Sequence, residues 1–191
     1  SSLIVPLTDV RQARYPVIDV HGHVYARTPE EVAEWVGVMD EVGVEKTVIM
    51  TGAVGDRFDE AVELYLKPYP ERFVLFAGVL KEGINAPDYP QRAVAELERC
   101  YRMGARGLGE LSDKGLGFTS DPSLTPDQRL HPDDPRLDLF WKKAEELKLP
   151  VNIHFADHPQ HGSRRTARKS ARRGSSVTTS TAAIARLTQR F

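Results

Sequence analysis

Cysteine is almost absent from this sequence, and long apolar runs are absent altogether. Cys100 is the only cysteine, so the chain forms no internal disulfide, which favours a reducing compartment with the cytoplasm as the default. No run approaches the roughly 20 apolar residues that cross a bilayer, so we expect no membrane span. Residues 1–7 lack the basic segment and long apolar stretch of a signal peptide. Because position 1 is Ser, we expect a processed, trimmed or incomplete N-terminus.

Acidic residues are missing from the last 34 positions. Residues 158–191 contain eight Lys or Arg and ten Ser or Thr, whereas residues 1–157 hold 18 basic against 27 acidic residues. This break predicts a folded part over residues 1–158 and a basic, Ser/Thr-rich tail over residues 159–191 that is disordered or comes from a shifted reading frame. A genuine tail that binds nucleic acid or an acidic partner is the alternative. Nucleic acid is disfavoured, because no aromatic residue precedes Phe191 in the tail to stack on bases.

Between residues 17 and 156, short β-rich runs alternate with segments of helical period. The runs predict strands over residues 17–24, 44–50, 73–79, 105–111 and 151–156. The first helix has the start signal Thr28-Pro29-Glu30-Glu31, a capping box with proline in the first turn. Five strands and four helices in this order predict the α/β class and the N-terminal part of a TIM-like (β/α)8 barrel, whose eight units typically need about 250 residues.

Two further features follow from this arrangement. The loop over residues 112–133 is long, rich in Gly, Pro and Asp, and follows the fourth strand. Long loops in compact domains are usually functional or disordered, and in a barrel this end of the strand carries the active site. Cys100 lies on the apolar stripe of the third helix, so we expect it to be buried and structural.

His21 and His23 are two residues apart on the first predicted strand, so their side chains share one face, with Asp19 one step deeper. Ile18 and Val20 would point the other way, towards covering helices. Two imidazoles at the C-terminal end of a strand form half of a site for Zn²⁺ or a similar divalent ion. Taken alone, this pattern favours a strand that simply ends in solvent.

His154 ends the fifth predicted strand, and Glu110 ends the fourth. A single histidine is more often a core or rim residue, but three histidines at two strand ends of one barrel face indicate a metal site. Glu110 could bind the metal, bridge two ions or orient a histidine, and a solvated strand-end carboxylate is an equal alternative. Asp157 and His158 follow at the rim, where a polar turn is favoured over contact with substrate.

The run Asp19-Val20-His21-Gly22-His23 and the segment 133–154 that leads to His154 resemble amidohydrolase-superfamily barrels, specifically the amidohydrolase-related (type 2) family. The resemblance covers roughly residues 15–158. It implies a metal-dependent hydrolase that acts on a small molecule through metal-activated water, with His21, His23 and His154 as ligands and Zn²⁺ as the expected ion. The family completes its site with a His after strand six and an Asp after strand eight. Neither is found in this sequence, so no catalytic residue is assigned and the activity of this chain alone stays open.

Two other activities are open on the same residues. Non-oxidative decarboxylation of an aromatic or unsaturated acid occurs within the same family and uses similar ligands. TatD-type metal nucleases share the first-strand motif and the Gly-Glu that here stands at residues 109–110, although the acidic body disfavours a polyanion. A half barrel also leaves sheet edges unpaired, so a chain that forms homo-oligomers or binds metal without activity is the non-enzymatic alternative.

Overall fold

The computed structural model describes residues 11–155 as alternating strands and helices. The elements are β1 Val17–Gly22, α1 Pro29–Val42, β2 Val44–Met50, α2 Asp56–Ala61, β3 Phe73–Ala77, α3 Tyr89–Met103, β4 Ala105–Ser112, α4 Asp138–Glu146 and β5 Val151–His154. A π-helical turn over Val62–Leu66 continues α2, and 3-10 turns over Pro126–Gln128 and Pro135–Leu137 precede α4. The five strands and four helices predicted from the sequence are confirmed.

All five strands form one parallel sheet in the order β1-β2-β3-β4-β5. Each strand pairs with the next one along the chain, and each crossover places at least one helix between two strands. The sheet curls into a half barrel, which confirms the prediction of a partial TIM-like fold. Because the strands are parallel, their C-terminal ends all meet at one edge of the sheet.

The core lies between the sheet and its helices and centres on an aromatic cluster. Trp35 of α1 contacts Phe73 of β3 with ring centroids 5.2 Å apart, and Tyr65 lies 5.3 Å from Phe73. The hydroxyl of the buried Tyr65 donates a hydrogen bond to the carbonyl of Ala26. Burial of large aromatic surfaces is the main stabilising contribution here, and the hydroxyl bond satisfies the one polar atom that the cluster buries.

Cys100 is buried in this core, as its position on the apolar stripe of α3 predicts. Its Sγ lies 3.3 Å from Glu96 Oε1. Burial, followed by the neighbouring charge of Glu96, raises the pKa of the Cys100 thiol to about 12. The thiol is therefore protonated and unreactive at neutral pH.

The capping box at the start of α1 forms as predicted. Thr28 Oγ1 accepts a hydrogen bond from the Glu31 amide at 3.3 Å, and the Glu31 carboxylate accepts from the Thr28 amide at 3.2 Å. At the other end, Gly43 adopts a left-handed conformation with φ 81° that closes the helix. The local signals thus place both ends of α1, and with them the connection from β1 to β2.

The outer face of β1 differs from the prediction. Ile18 and Val20 are 56% and 67% exposed, so the expectation that covering helices bury them is wrong. Alternation along a strand states which side chains share a face, but whether an element lies over that face depends on the rest of the fold. In the described part of the chain, α1 packs against β2 and leaves this side of β1 open. No helix within residues 11–155 is long and apolar enough to cross a membrane.

Candidate metal centre

His21 and His23 lie at the C-terminal end of β1. Gly22 between them is buried, and a Cβ there would come within 2.7 Å of the Thr47 side chain, so a glycine is needed for β1 to approach β2 this closely. Asp19 Oδ1 accepts a hydrogen bond from the His21 amide at 3.1 Å. The two imidazole rings face each other edge to face with centroids 5.1 Å apart. This local geometry directs both rings to the same side of the sheet.

Glu110 of β4 meets both histidines. His21 Nε2 is 3.8 Å from Glu110 Oε1, and His23 Nε2 is 3.9 Å from Glu110 Oε2. One ligand atom from each of the three residues lies within 4.8 Å of the other two. Because β1 and β4 are separated by two strands in the sheet, only the curl of the sheet brings these side chains together.

His154 of β5 joins this group through Glu110. Its Nδ1 lies 2.9 Å from Glu110 Oε1. An ionised carboxylate can only accept, so Nδ1 carries the proton, and in a neutral imidazole the lone pair is then on Nε2. A carboxylate that holds a histidine in this way fixes its tautomer and orientation for metal binding. Three of the four residues predicted from the sequence, His21, His23 and Glu110, therefore form the cluster of ligand atoms, and His154 lies beside them through its contact with Glu110.

The donor set fits a divalent cation. An ion held about 2.0–2.2 Å from each donor keeps the donors roughly 3–4 Å apart, and the two histidine–carboxylate distances fall in this range. Mixed imidazole and carboxylate ligands suit Zn²⁺ and the neighbouring transition metals. The side chains of His21 and His23 are each 41% exposed and that of Glu110 is 22% exposed, so the group is open to solvent on one side.

A family model described as amidohydrolase matches residues 13–173. The chain belongs to the amidohydrolase family. The match confirms the resemblance stated from the strand-end motifs and includes all four candidate residues. No curated protein matches the sequence. The match runs past residue 158, where the folded part was predicted to end. That boundary lies outside the described residues, as do Asp157 and His158.

Tyr25 connects the cluster of candidate ligands to the core. Its ring lies 6.0 Å from that of His23 and 5.5 Å from that of Trp35, and its amide donates to the His23 carbonyl at 2.9 Å. Burial, and then the charge of Asp19, raise the pKa of Tyr25. Tyr25 therefore stays protonated at neutral pH and supports the His23 ring by packing.

The loop after β4 is folded around Asp113, which is only 5% exposed. Asp113 Oδ1 accepts hydrogen bonds from the amides of Gly115 and Gly117 at 2.8 and 3.0 Å, while Oδ2 lies 2.6 Å from His131 Nδ1. The Asp113 amide donates to the carbonyl of His154 at 2.9 Å. The buried carboxylate of Asp113 thus holds both ends of the loop, and its backbone amide attaches them to β5 beside the candidate ligands.

Arg136 secures the far end of the same loop. Its guanidinium pairs with the Asp134 carboxylate at 2.6 Å and donates to the carbonyls of Arg129 and Ile84 at 2.6 and 3.2 Å. Ile84 belongs to the loop that follows β3, so Arg136 joins two loops at the C-terminal edge of the sheet. The loop over residues 112–133 is thus held at its start by Asp113 and beyond its end by Arg136.

The sequence assigned no role to Asp113 and did not single out His131. These residues are separated by 17 intervening positions in an irregular loop, and no fixed spacing marks such a pair. The usable signal was an Asp directly after a strand, followed by glycines whose amides can turn back to it. The contribution of Tyr25 could not be found from the sequence either, because its ring packing depends on the helix that follows it.

Proposed function

We propose that this chain carries the metal-binding part of a hydrolase that acts on a small molecule. Family membership supports the metal-dependent hydrolase and lyase superfamily, and hydrolysis is our own narrower choice. The observation that carries the proposal is the convergence of His21, His23 and Glu110, with His154 bonded to the same carboxylate. Two imidazoles and a carboxylate whose ligand atoms lie this close together are a donor set that Zn²⁺ can take.

In this proposal each residue has a defined part. His21 and His23 hold a divalent ion, Zn²⁺ by preference, through their Nε2 atoms, and Glu110 supplies a carboxylate oxygen. His154 is a fourth ligand through Nε2, kept in the required tautomer by its bond to Glu110. When bound, such an ion supplies a Lewis acid that polarises a substrate carbonyl and lowers the pKa of water.

The surroundings of the site favour a small substrate. The loop after β4 and the loop after β3 both rise at the edge where the ligands lie, and Arg136 holds them together. Residues 1–157 carry nine more acidic than basic residues, which disfavours a nucleic-acid polyanion. We therefore propose a small molecule as substrate and the cytoplasm as compartment.

Metal content tests the proposal directly. After loading with zinc and dialysis, the chain is expected to retain about one zinc ion or more per molecule. Elemental mass spectrometry measures this content. His21→Gln and His154→Gln should each lower this content, because each removes a donor. His131→Gln is the matched control, because the ring of His131 pairs with Asp113 and supplies no atom to the cluster of His21, His23 and Glu110, and it should leave the content unchanged.

The loaded chain should also be screened against amides, esters and unsaturated carboxylic acids. Release of an acid with an amine or alcohol supports hydrolysis, whereas release of CO₂ supports the decarboxylase alternative. A wild-type chain that retains no more metal than the His21→Gln variant would contradict the metal centre itself.

A further inference from the structure

Arg57 and Lys81 lie on the loops that follow β2 and β3, at the same edge of the sheet as the metal centre. Arg57 is the second residue of α2, and Lys81 lies four residues beyond the end of β3. Because β2 and β3 are adjacent parallel strands, their following loops leave the sheet side by side. The topology therefore places two cationic side chains on neighbouring loops.

These two loops are fastened to each other and to β4. The Gly78 amide donates to the Ala53 carbonyl at 2.7 Å, and a Cβ at Gly78 would lie 2.2 Å from the Gly52 carbonyl oxygen, so the backbones touch. The Gly52 amide donates in turn to the carbonyl of Gly109 at 2.9 Å. Gly109 directly precedes Glu110, so the loops that carry the two cations are tied to a strand of the metal centre.

The start of α2 is also fixed from the side of α3. Glu96 Oε1 accepts a hydrogen bond from the Gly55 amide at 2.7 Å, and Arg99 donates to the Gly55 carbonyl at 3.1 Å. Arg99 also pairs with Asp59 at 2.6 Å. Arg57 lies between these two anchored positions, so its backbone has a defined place.

Among the described residues, neither Arg57 nor Lys81 forms an ion pair, although the carboxylate of Glu82 acts on Lys81 from a greater distance. Within residues 11–155, neither side chain makes a hydrogen bond or an ion pair, whereas Arg72 pairs with Asp40 at 2.7 Å. Partial burial, and then the charge of Arg57, lower the pKa of Lys81, against a smaller opposing effect of Glu82. The positive charges of Arg57 and Lys81 repel each other, and a bound anion would relieve that repulsion.

We propose that Arg57 and Lys81 form an oxyanion-binding site for a carboxylate or phosphate group of a small molecule. An arginine offers a planar fork that binds either group through two hydrogen bonds, and a lysine adds a mobile point charge. In so far as this molecule is the substrate, the inference rests on the proposed hydrolase function and narrows it to anionic substrates.

Isothermal titration calorimetry with three probes tests the site on the whole, zinc-loaded chain. The probes are malonate, inorganic phosphate and the uncharged malonamide. Arg57→Gln and Lys81→Gln remove one charge each, and Arg57→Lys restores charge without the fork. Arg102→Gln is the matched control, because Arg102 is exposed near the end of α3, at the opposite edge of the sheet.

At least one of the two anions is expected to bind the wild type, and malonamide is not. Arg57→Gln and Lys81→Gln should each raise the dissociation constant of the anion by about tenfold, because each removes one charge-assisted hydrogen bond. Arg57→Lys should recover part of this loss, and Arg102→Gln should bind as the wild type does. Tighter binding of malonate indicates a carboxylate substrate, and tighter binding of phosphate indicates a phosphate ester.

A His21→Gln/His23→Gln double variant separates this inference from the metal centre. Anion binding that persists in this variant supports the Arg57 and Lys81 site even if the chain holds no metal. If the double variant no longer binds the anion, whereas Arg57→Gln and Lys81→Gln bind it as the wild type does, the anion binds to the metal. That result overturns the inference. Absence of anion binding in the wild type, or equal binding of malonamide, overturns it as well. Circular dichroism identifies any unfolded variant, and Lys81→Gln then decides in place of Arg57→Gln.

Discussion

At the scale of single residues, carboxylates organise the edge of the sheet where the strands have their C-terminal ends. Glu110 connects histidines from two strands, and Asp113, three positions later, connects the two ends of a loop. The strand-end positions of His21, His23, Glu110 and His154 could be read from the sequence, because strand period and parallel order place strand ends together. The Asp113–His131 pair could not, since it depends on the path of an irregular loop.

Asp113 is expected to make the protein less stable in acid. Burial alone would raise the pKa of this carboxyl, but its hydrogen bond with His131 and those from Gly115 and Gly117 outweigh burial and lower it. A lowered pKa stabilises the fold above the unfolded value of about 3.9, and the contribution is lost as pH falls below it. Asp113→Asn should therefore lower the free energy of unfolding by about 1–2 kcal/mol at pH 7.

Urea unfolding at a series of pH values measures this effect. The difference between wild type and Asp113→Asn should shrink as the pH drops below about 4. Asp133→Asn, an exposed residue of the same loop, serves as the control and should behave as wild type throughout. A constant difference from pH 7 to pH 3 would show that the carboxylate charge of Asp113 contributes nothing.

At the scale of elements, the sequence predicts most where the determinants are local. The ends of α1 follow from Thr28, Glu31 and Gly43, and all three act within one turn of the helix. The outer face of β1 was predicted wrongly because Ile18 and Val20 show a strand pattern that carries no information on distant packing. The same limit applies to Arg57 and Lys81, whose proximity depends on contact between two loops.

The capping box of α1 provides a quantitative test of local control. Thr28→Ala removes the acceptor for the Glu31 amide and is expected to lower the free energy of unfolding by about 1 kcal/mol. Thr28→Ser keeps the hydroxyl and should recover most of this loss. Thermal and urea unfolding of the three proteins provide the measurement. Equal stability of the alanine and serine variants would mean that the hydrogen bond has no net effect.

At the scale of the whole molecule, the described sheet has two edge strands, β1 and β5, with apolar side chains in the open. Val20 is 67% exposed on β1, and Phe155, directly after β5, is 61% exposed. Edge strands with exposed apolar residues favour pairing with other chains. Homo-oligomerisation, predicted from the sequence as a possibility, is therefore retained as a proposal.

Sedimentation velocity over a range of protein concentrations tests this proposal. The wild type should show self-association, and Val20→Lys should shift the distribution towards the monomer, because a charge on an edge strand opposes pairing. Leu139→Lys, a matched change at an exposed apolar residue of α4, should have little effect. Association that is equally strong in both variants would locate the contact elsewhere.

The order of the strands has one further consequence for the metal centre. His21 and His23 come from the first strand of the sheet, whereas Glu110 and His154 come from the last two. An ion bound to all four residues would thus link the first strand of the sheet to its last two strands across the concave side. Its binding energy would then oppose flattening of the sheet, so the thermal midpoint should rise with free metal concentration. In such an arrangement the bound metal ion would also maintain the curvature of the sheet, on which its own binding depends.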